Sequence, residues 1–172
     1  MSQQKPLEIR PAQESDARVL LSFIRKLADY ERLSHEMVAE EEDVRRWLFG
    51  PNPVAEAALA YSNGRPVGYV VFFTIFSTFA GSPAIYLEDL FVDGEHRGKG
   101  TGHALLSYVA KLAMQRNYGA VVWAVLEWNQ PAIHFYRSLG ATPEDDWRIY
   151  KISGEPLKRL SDRLTSLNEP GI

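Results

Sequence analysis

The sequence contains no cysteine. Disulfides, thiolate metal sites and a thiol nucleophile are thereby excluded, and with them an acyl-cysteine route. The absence fits a reducing compartment. There is no apolar run of the roughly 18–20 residues that a membrane helix needs. The opening MSQQKPLEIR lacks the apolar centre of a secretory signal. A soluble, cytoplasmic protein with no membrane partner is the expectation. A basic excess is missing too: 19 Lys and Arg stand against 22 Asp and Glu, for a net charge of -3. That balance speaks against a nucleic-acid partner. The histidines His35, His96, His103 and His134 fall at no metal-ligand spacing, so no metal is expected. Repeats, low-complexity tracts and linkers are also lacking. What is present, 172 residues of which 45% are hydrophobic, suits one domain with its own core.

Residues 7–10 read as a short strand closed by Pro11, and Ser15 or Asp16 can cap the helix that follows. Leu20, Leu21, Ile24, Leu27 and Ala28 recur at helical spacing, and the pattern runs out near Tyr30-Glu31-Arg32. A second helix is expected over 41–49, with acids in its first turn and Gly50-Pro51 as its stop. Residues 55–61 and 66–77 are strand-like around Asn63-Gly64, a strong hairpin signal. With 84–92 they form an expected antiparallel meander. A helix to Arg116 and a strand over 120–127 complete a strand–helix–strand unit, which implies parallel pairing. Asn129 and Pro131 open another helix, closed by Gly140. A last strand is expected over 147–152 and a short tail helix over 156–167, frayed at its end. The fold class is α+β: a single domain with a central mixed, mostly antiparallel β-sheet flanked by helices.

The chain is organised around residues 86–106, YLEDLFVDGEHRGKGTGHALL. A strand carrying Glu88 and Asp89 runs into a turn of glycines and cations at a helix start. Bare amides at a helix N-terminus, with Arg97 and Lys99 beside them, suit a phosphate. A Walker loop fits poorly, because Gly94 to Gly98 is one residue short and Lys99 is followed by Gly100, which leaves a P-loop-like nucleotide binder as a third reading only. The dinucleotide fingerprint fails because its third glycine is misplaced. R-x-x-G-x-G fits Arg97 to Gly102 without adjustment.

With that pattern the sequence resembles the GCN5-related N-acetyltransferase (GNAT) superfamily, and the order of elements matches over residues 7–152. Four segments are similar to the diamine (spermidine/spermine and thialysine) N-acetyltransferases: LADYE at 27–31, YLEDLFV at 86–92, RGKGTG at 97–102 and WNQPAIHFYRSLGA at 128–141. The resemblance implies a GNAT domain over residues 5–155, with 156–172 as a tail. It implies acetyl-CoA as co-substrate, its pantetheine arm against Leu90, Phe91 and Val92. Arg97, Gly98, Lys99, Gly100, Thr101, Gly102 and His103 would wrap the pyrophosphate. Asn129, with Gln130, Pro131 and Ala132, would lie near CoA. Tyr136 would be the general acid near the sulfur and Glu88 the base, directly or through water. Tyr30, Glu31, Glu88, Asp89 and Trp147 match positions around the amine. Relatives are commonly dimers, which implies a homodimer.

Acetyl transfer requires an amine that has lost a proton, a donor for the developing oxyanion and a proton for the departing thiolate. A carboxylate, a strand amide at 90–92 and a phenol meet these needs, by direct attack in a ternary complex. The acceptor class is a primary amine of a small cation: a polyamine, a diamine or a lysine-like amino acid such as thialysine. The stretch between Ala141 and Trp147 is shorter than in the polyamine enzymes, which favours "primary amine" over "spermidine". Other readings stay open on the residues alone. Tyr136 and Trp147 can be core residues, Asp89 an ion-pair partner, and Glu31 a solvated helix end. A catalytically silent acyl-CoA-binding sensor is the competing function; retention of both Glu88 and Tyr136 argues against it. Because adjacent residues of a regular strand point to opposite faces, Glu88 and Asp89 can share a site only across a bulge, expected near 88–90.

Overall fold

At Asn63 and Gly64 the backbone takes φ of 50° and 75°, the left-handed pair that a two-residue hairpin turn requires. In the computed structural model, which describes residues 7–167, this turn joins β2 (Glu56–Ser62) to β3 (Arg65–Ser77), with Ser62 opposite Arg65. β4 (Ser82–Val92) returns antiparallel along β3, and β1 (Glu8–Pro11) runs antiparallel to β2. β5 (Val121–Trp123) joins β4 in parallel, giving the order β1-β2-β3-β4-β5. This is the mixed, mostly antiparallel sheet that the sequence predicts. It lies within the first of two compact units, Met1–Ala124 and Val125–Ile172.

Helices cover both faces of the sheet. α1 (Ala17–Glu31) buries Leu20, Leu21 and Phe23 in one core with Tyr69, Val71 and Phe91. α3 (Thr101–Gln115) buries Leu105, Val109 and Ala113. It lies over the opposite face, where Gly68 opens the way. A Cβ at Gly68 would stand 2.6 Å from the Phe91 carbonyl oxygen and 3.3 Å from Leu105 Cδ1. Each fully buried Leu or Val contributes about 1.5–3 kcal/mol.

α1 ends where its apolar pattern does. Arg32 turns left-handed at φ 63°, while Leu33 N–H bonds to Ala28 O at 2.8 Å and Arg32 N–H to Asp29 O at 3.1 Å. That double bond pattern is a Schellman stop on a non-glycine residue. It leaves Tyr30 and Glu31 on the last turn. At the start, Asp16 caps a preceding 3-10 turn (Glu14–Asp16) through Gln13 N–H at 2.9 Å, rather than α1 itself. α2 (Glu41–Val44) continues as a π-helical stretch, Arg45–Phe49, to Gly50.

The second unit holds α4 (Gln130–Ser138) and α5 (Gly154–Leu167). Two strand expectations are corrected. The strand over 120–127 is paired only at Val121–Trp123, because its partner β4 leaves register after Leu87. The strand over 147–152 is absent among the described residues, and Trp147 is 71% exposed. Its β-favouring residues pair with no strand among the described residues. The tail helix begins two residues earlier than expected. The expected fraying at 168–172, and residues 5 and 6 of the expected domain, lie outside the described residues.

Candidate active site

Glu88 is an extra residue in β4. The ladder runs Val71 opposite Asp89 and then Phe72 opposite Leu87, so Glu88 faces no partner. This is the expected bulge. Continued unbulged from Leu87, the ladder would set Asp89 opposite Val70 on the α3 face. The extra residue turns it to the α1 face instead, where Tyr69 Oη donates to Asp89 Oδ2 at 2.9 Å. Glu88 itself is exposed.

Burial pushes the Asp89 carboxyl up to about 6, against the lowering effect of the Tyr69 hydrogen bond; the neighbouring charges of Glu88 and Glu31 add to the rise. Burial likewise raises Glu31. Tyr69 is held well above the ordinary phenol range, first by burial and then by Asp89. Burial and Glu88 also raise Tyr86. Glu31, Glu88 and Asp89 thus form one acidic group at the junction of α1 and β4, in surroundings that favour an incoming cation.

Pairing with β5 stops at Leu87, so the outer edge of residues 88–92 carries no strand among the described residues. Leu90, Phe91 and Val92 lie on that stretch, paired on the inner side with Val70, Tyr69 and Gly68. Beyond them Asp93 takes Lys26 Nζ at 2.7 Å, which holds its carboxyl below the usual range. The chain then makes a short 3-10 turn and reaches Gly98 and Gly100, with φ of 69° and 85°. A Cβ at either would meet nothing within 4 Å, so these glycines serve backbone shape and open space above the amides. Gly100 O accepts Ala104 N–H at 2.9 Å, which leaves the amides of Thr101, Gly102 and His103 ahead of the first intrahelical bond. Lys99 is exposed beside them. The turn fits the pyrophosphate of a CoA ester. Thr101 Oγ1 donates to His96 O at 3.4 Å, and His103 Nδ1 lies 3.2 Å from Ser107 Oγ. Arg97 donates from Nε to Val92 O at 2.8 Å, and its guanidinium lies over Tyr30 at 4.5 Å and Phe91 at 5.3 Å.

Within the second unit, buried Asn129 accepts Ala132 N–H on Oδ1 at 3.3 Å and so caps α4. Gln130 Nε2 donates to Glu127 O at 2.8 Å, and Pro131 occupies the first turn. Tyr136 is half-buried, its ring 5.3 Å from Phe135. Trp147 is not a core residue here; its amide donates to Glu144 O at 3.2 Å.

The sequence reading missed Tyr69 and the stacking of Arg97 on Tyr30. A signal for the first exists: a phenol inside a buried strand needs a partner, and an acid follows on the strand beside it.

The family model described as the Acetyltransferase (GNAT) family matches residues 21–141. The chain is 36% identical to the thialysine N-epsilon-acetyltransferase of Sus scrofa, over 90% of this chain and 97% of that one. It is 33% identical to the L-ornithine N5-acetyltransferase of Arabidopsis thaliana, over 74% of this chain and 53% of that one. Among solved structures, an integron cassette protein from the mobile metagenome of V. cholerae aligns with a TM-score of 0.76 at 25% identity, covering 91% of this chain and 98% of that one. An aminoglycoside acetyltransferase from an uncultured soil metagenomic sample shares the fold, with a TM-score of 0.72 at 19% identity over 87% and 97% of the two chains. The bulged β4, the glycine turn at the head of α3 and these relationships together carry the assignment: the chain belongs to the GNAT acetyltransferase family.

Proposed function

We propose that this acetyltransferase moves the acetyl group of acetyl-CoA to a primary amine of a small cation, by direct attack in a ternary complex. The acceptor is a lysine-like amino acid such as thialysine, a diamine or a polyamine. The observation that carries the reading is the bulge at Glu88, which gathers Glu31, Glu88 and Asp89 into one acidic group beside the free edge of β4. Carboxylates so arranged attract an ammonium group and repel an anionic acceptor. The relatives whose names specify thialysine and ornithine support an amino acid with a side-chain amine.

In this reading Glu88 takes the proton from the bound ammonium, directly or through water. Asp89, Glu31 and Tyr30 hold the cation, with Trp147 as a further contact. Amides of the 90–92 strand receive the developing oxyanion, Gly98 to His103 bind the phosphates with Arg97 and Lys99, and Asn129 and its neighbours 130–132 contact CoA. Tyr136 protonates the departing thiolate, a task a phenol performs without first being charged. The family match across 21–141 supports one working domain over residues 5–155, followed by the tail. A cytoplasmic location is part of the same reading. A homodimer is part of the same reading, to which the exposed Leu157, Leu160 and Leu164 of the tail helix would contribute; light scattering would test it.

The deciding experiment is thiol release from acetyl-CoA with a panel of thialysine, lysine, ornithine, diamines, polyamines and neutral amines. Turnover confined to cationic amines is the expected result. Background release with every amine, despite tight acetyl-CoA binding, would leave a silent acyl-CoA sensor instead.

A further inference from the structure

Tyr69 lies wholly inside β3, at 0% exposure, within a run of aliphatic and aromatic residues. A phenol hydroxyl in such a place must find a partner. The ladder supplies one: Tyr69 is opposite Phe91 and Val71 opposite Asp89, so Tyr69 and Asp89 are diagonal neighbours on one face. That adjacency exists only because the bulge has turned Asp89 to this side. The ring itself is fixed. Phe23 of α1 stacks on it at 5.8 Å with planes 8° apart, and Phe91 lies 6.4 Å away.

We infer that Tyr69 is a positioning residue for acetyl transfer: held by Phe23 and Phe91, it anchors Asp89 Oδ2 at 2.9 Å so that the carboxylate meets the acceptor amine with Oδ1. The inference rests on the acceptor reading above. The hydroxyl acts in two ways. It fixes the direction of a carboxylate on a bulged, irregular stretch of strand, and it favours the charged form that binds an ammonium. The groups that bear on Asp89 are Glu31 from α1, Glu88 from β4 and Tyr69 from β3. The two carboxylates oppose ionisation, and the phenol assists it. Tyr69 stays protonated as donor, because burial and Asp89 both raise it.

Tyr69→Phe keeps the stacked ring and removes the hydroxyl. A hydrogen bond to a charged group accounts for roughly tenfold or more in binding, so the KM for the amine should rise about tenfold while that for acetyl-CoA stays unchanged. The acidic limb of the amine kcat/KM profile should move to higher pH, since Asp89 loses the donor that favours its charged form. In an Asp89→Asn background the same change should cost less than about twofold, because the partner charge is already gone. NMR titration of the Asp89 carboxyl, which needs no turnover, should move upward in Tyr69→Phe. Wild-type amine KM and an unmoved titration in that variant would sink this inference alone. Equal losses in the two backgrounds would also sink it, by reducing Tyr69 to a packing role. A wild-type enzyme that turns over no amine would take the acceptor reading down as well.

Discussion

The guanidinium of Arg97 lies 4.5 Å from the centre of the Tyr30 ring, so a residue of the proposed phosphate turn rests on a residue of the proposed acceptor side. Val92 O and the Phe91 ring fix the same side chain from the strand between them. A residue serving phosphates alone would affect only the cofactor. Arg97 should affect both substrates. Cation–π contacts at exposed sites contribute about 0.5–1 kcal/mol, which is roughly two- to fivefold in the amine KM. Arg97→Lys keeps the charge and loses the planar stack. It should therefore raise the amine KM by that factor while raising the acetyl-CoA KM less than Arg97→Ala does. Steady-state kinetics with both substrates varied would show this. An amine KM unchanged in both variants would separate the two sites.

Gly98 and Gly100 should respond to alanine through backbone conformation alone. Both have positive φ, and a Cβ at either meets no atom within 4 Å. The left-handed conformation costs a residue with a Cβ about 1–2 kcal/mol. In a chain of this size, 1 kcal/mol lowers Tm by about 2–4 °C. Gly98→Ala and Gly100→Ala should each lower Tm by a few degrees and weaken acetyl-CoA binding by about tenfold or more, as the relaxed turn closes over its amides. Gly94→Ala is the control. Gly94 also has open space but no positive φ, so its Tm should stay within about 1–2 °C of wild type. Calorimetry and CoA titration would read all three.

Where local chemistry determined structure, the sequence was enough. Asn63-Gly64 dictated the hairpin, and the adjacent acids Glu88 and Asp89 required a bulge if both were to serve one site. Gly98 and Gly100 marked the turn because few other residues accept those φ values. Where structure depends on a distant partner, the sequence was silent or misleading. Tyr69 finds Asp89 only through the register of two strands that are 20 residues apart in sequence at this contact. Ile149 and Tyr150 favour strands, yet strand propensity describes a fit to a neighbouring strand, and these residues pair with none among the described residues. The 120–127 strand was overestimated for a related reason. The same bulge that aims Asp89 ends the β4–β5 ladder at Leu87.

Tyr136 carries the cleanest kinetic test of the acid role. Tyr136→Phe removes one hydroxyl from a half-buried side chain packed beside Phe135, so the helix should remain intact. Loss of a general acid costs roughly a hundredfold or more in kcat, while acetyl-CoA affinity by calorimetry should change less than about twofold. Turnover equal to wild type would remove Tyr136 from the mechanism.

Asp89→Asn should stabilise the fold above neutral pH while impairing the enzyme. Burial is the main reason that the Asp89 carboxyl is raised to about 6, with Glu88 and Glu31 adding to it. In an unfolded chain an Asp titrates near 3.9. The folded protein therefore holds this proton more tightly than the unfolded chain does. The stability that comes with it is complete below about pH 4 and is lost as pH rises through about 6. Above that, the buried carboxylate costs the fold on the order of 2 kcal/mol after allowance for screening. Asp89→Asn removes the charge, and its amide oxygen still accepts the Tyr69 hydroxyl. The variant should melt roughly 4–8 °C above wild type at about pH 8. The gap should narrow between about pH 6 and 4 and close below it. Its amine KM should rise over the range in which its stability gains, which is the trade expected of a charge kept for binding at the expense of the fold. Melting curves across that range decide the matter, and a difference that does not vary with pH would show that Asp89 does not titrate at its half-buried site.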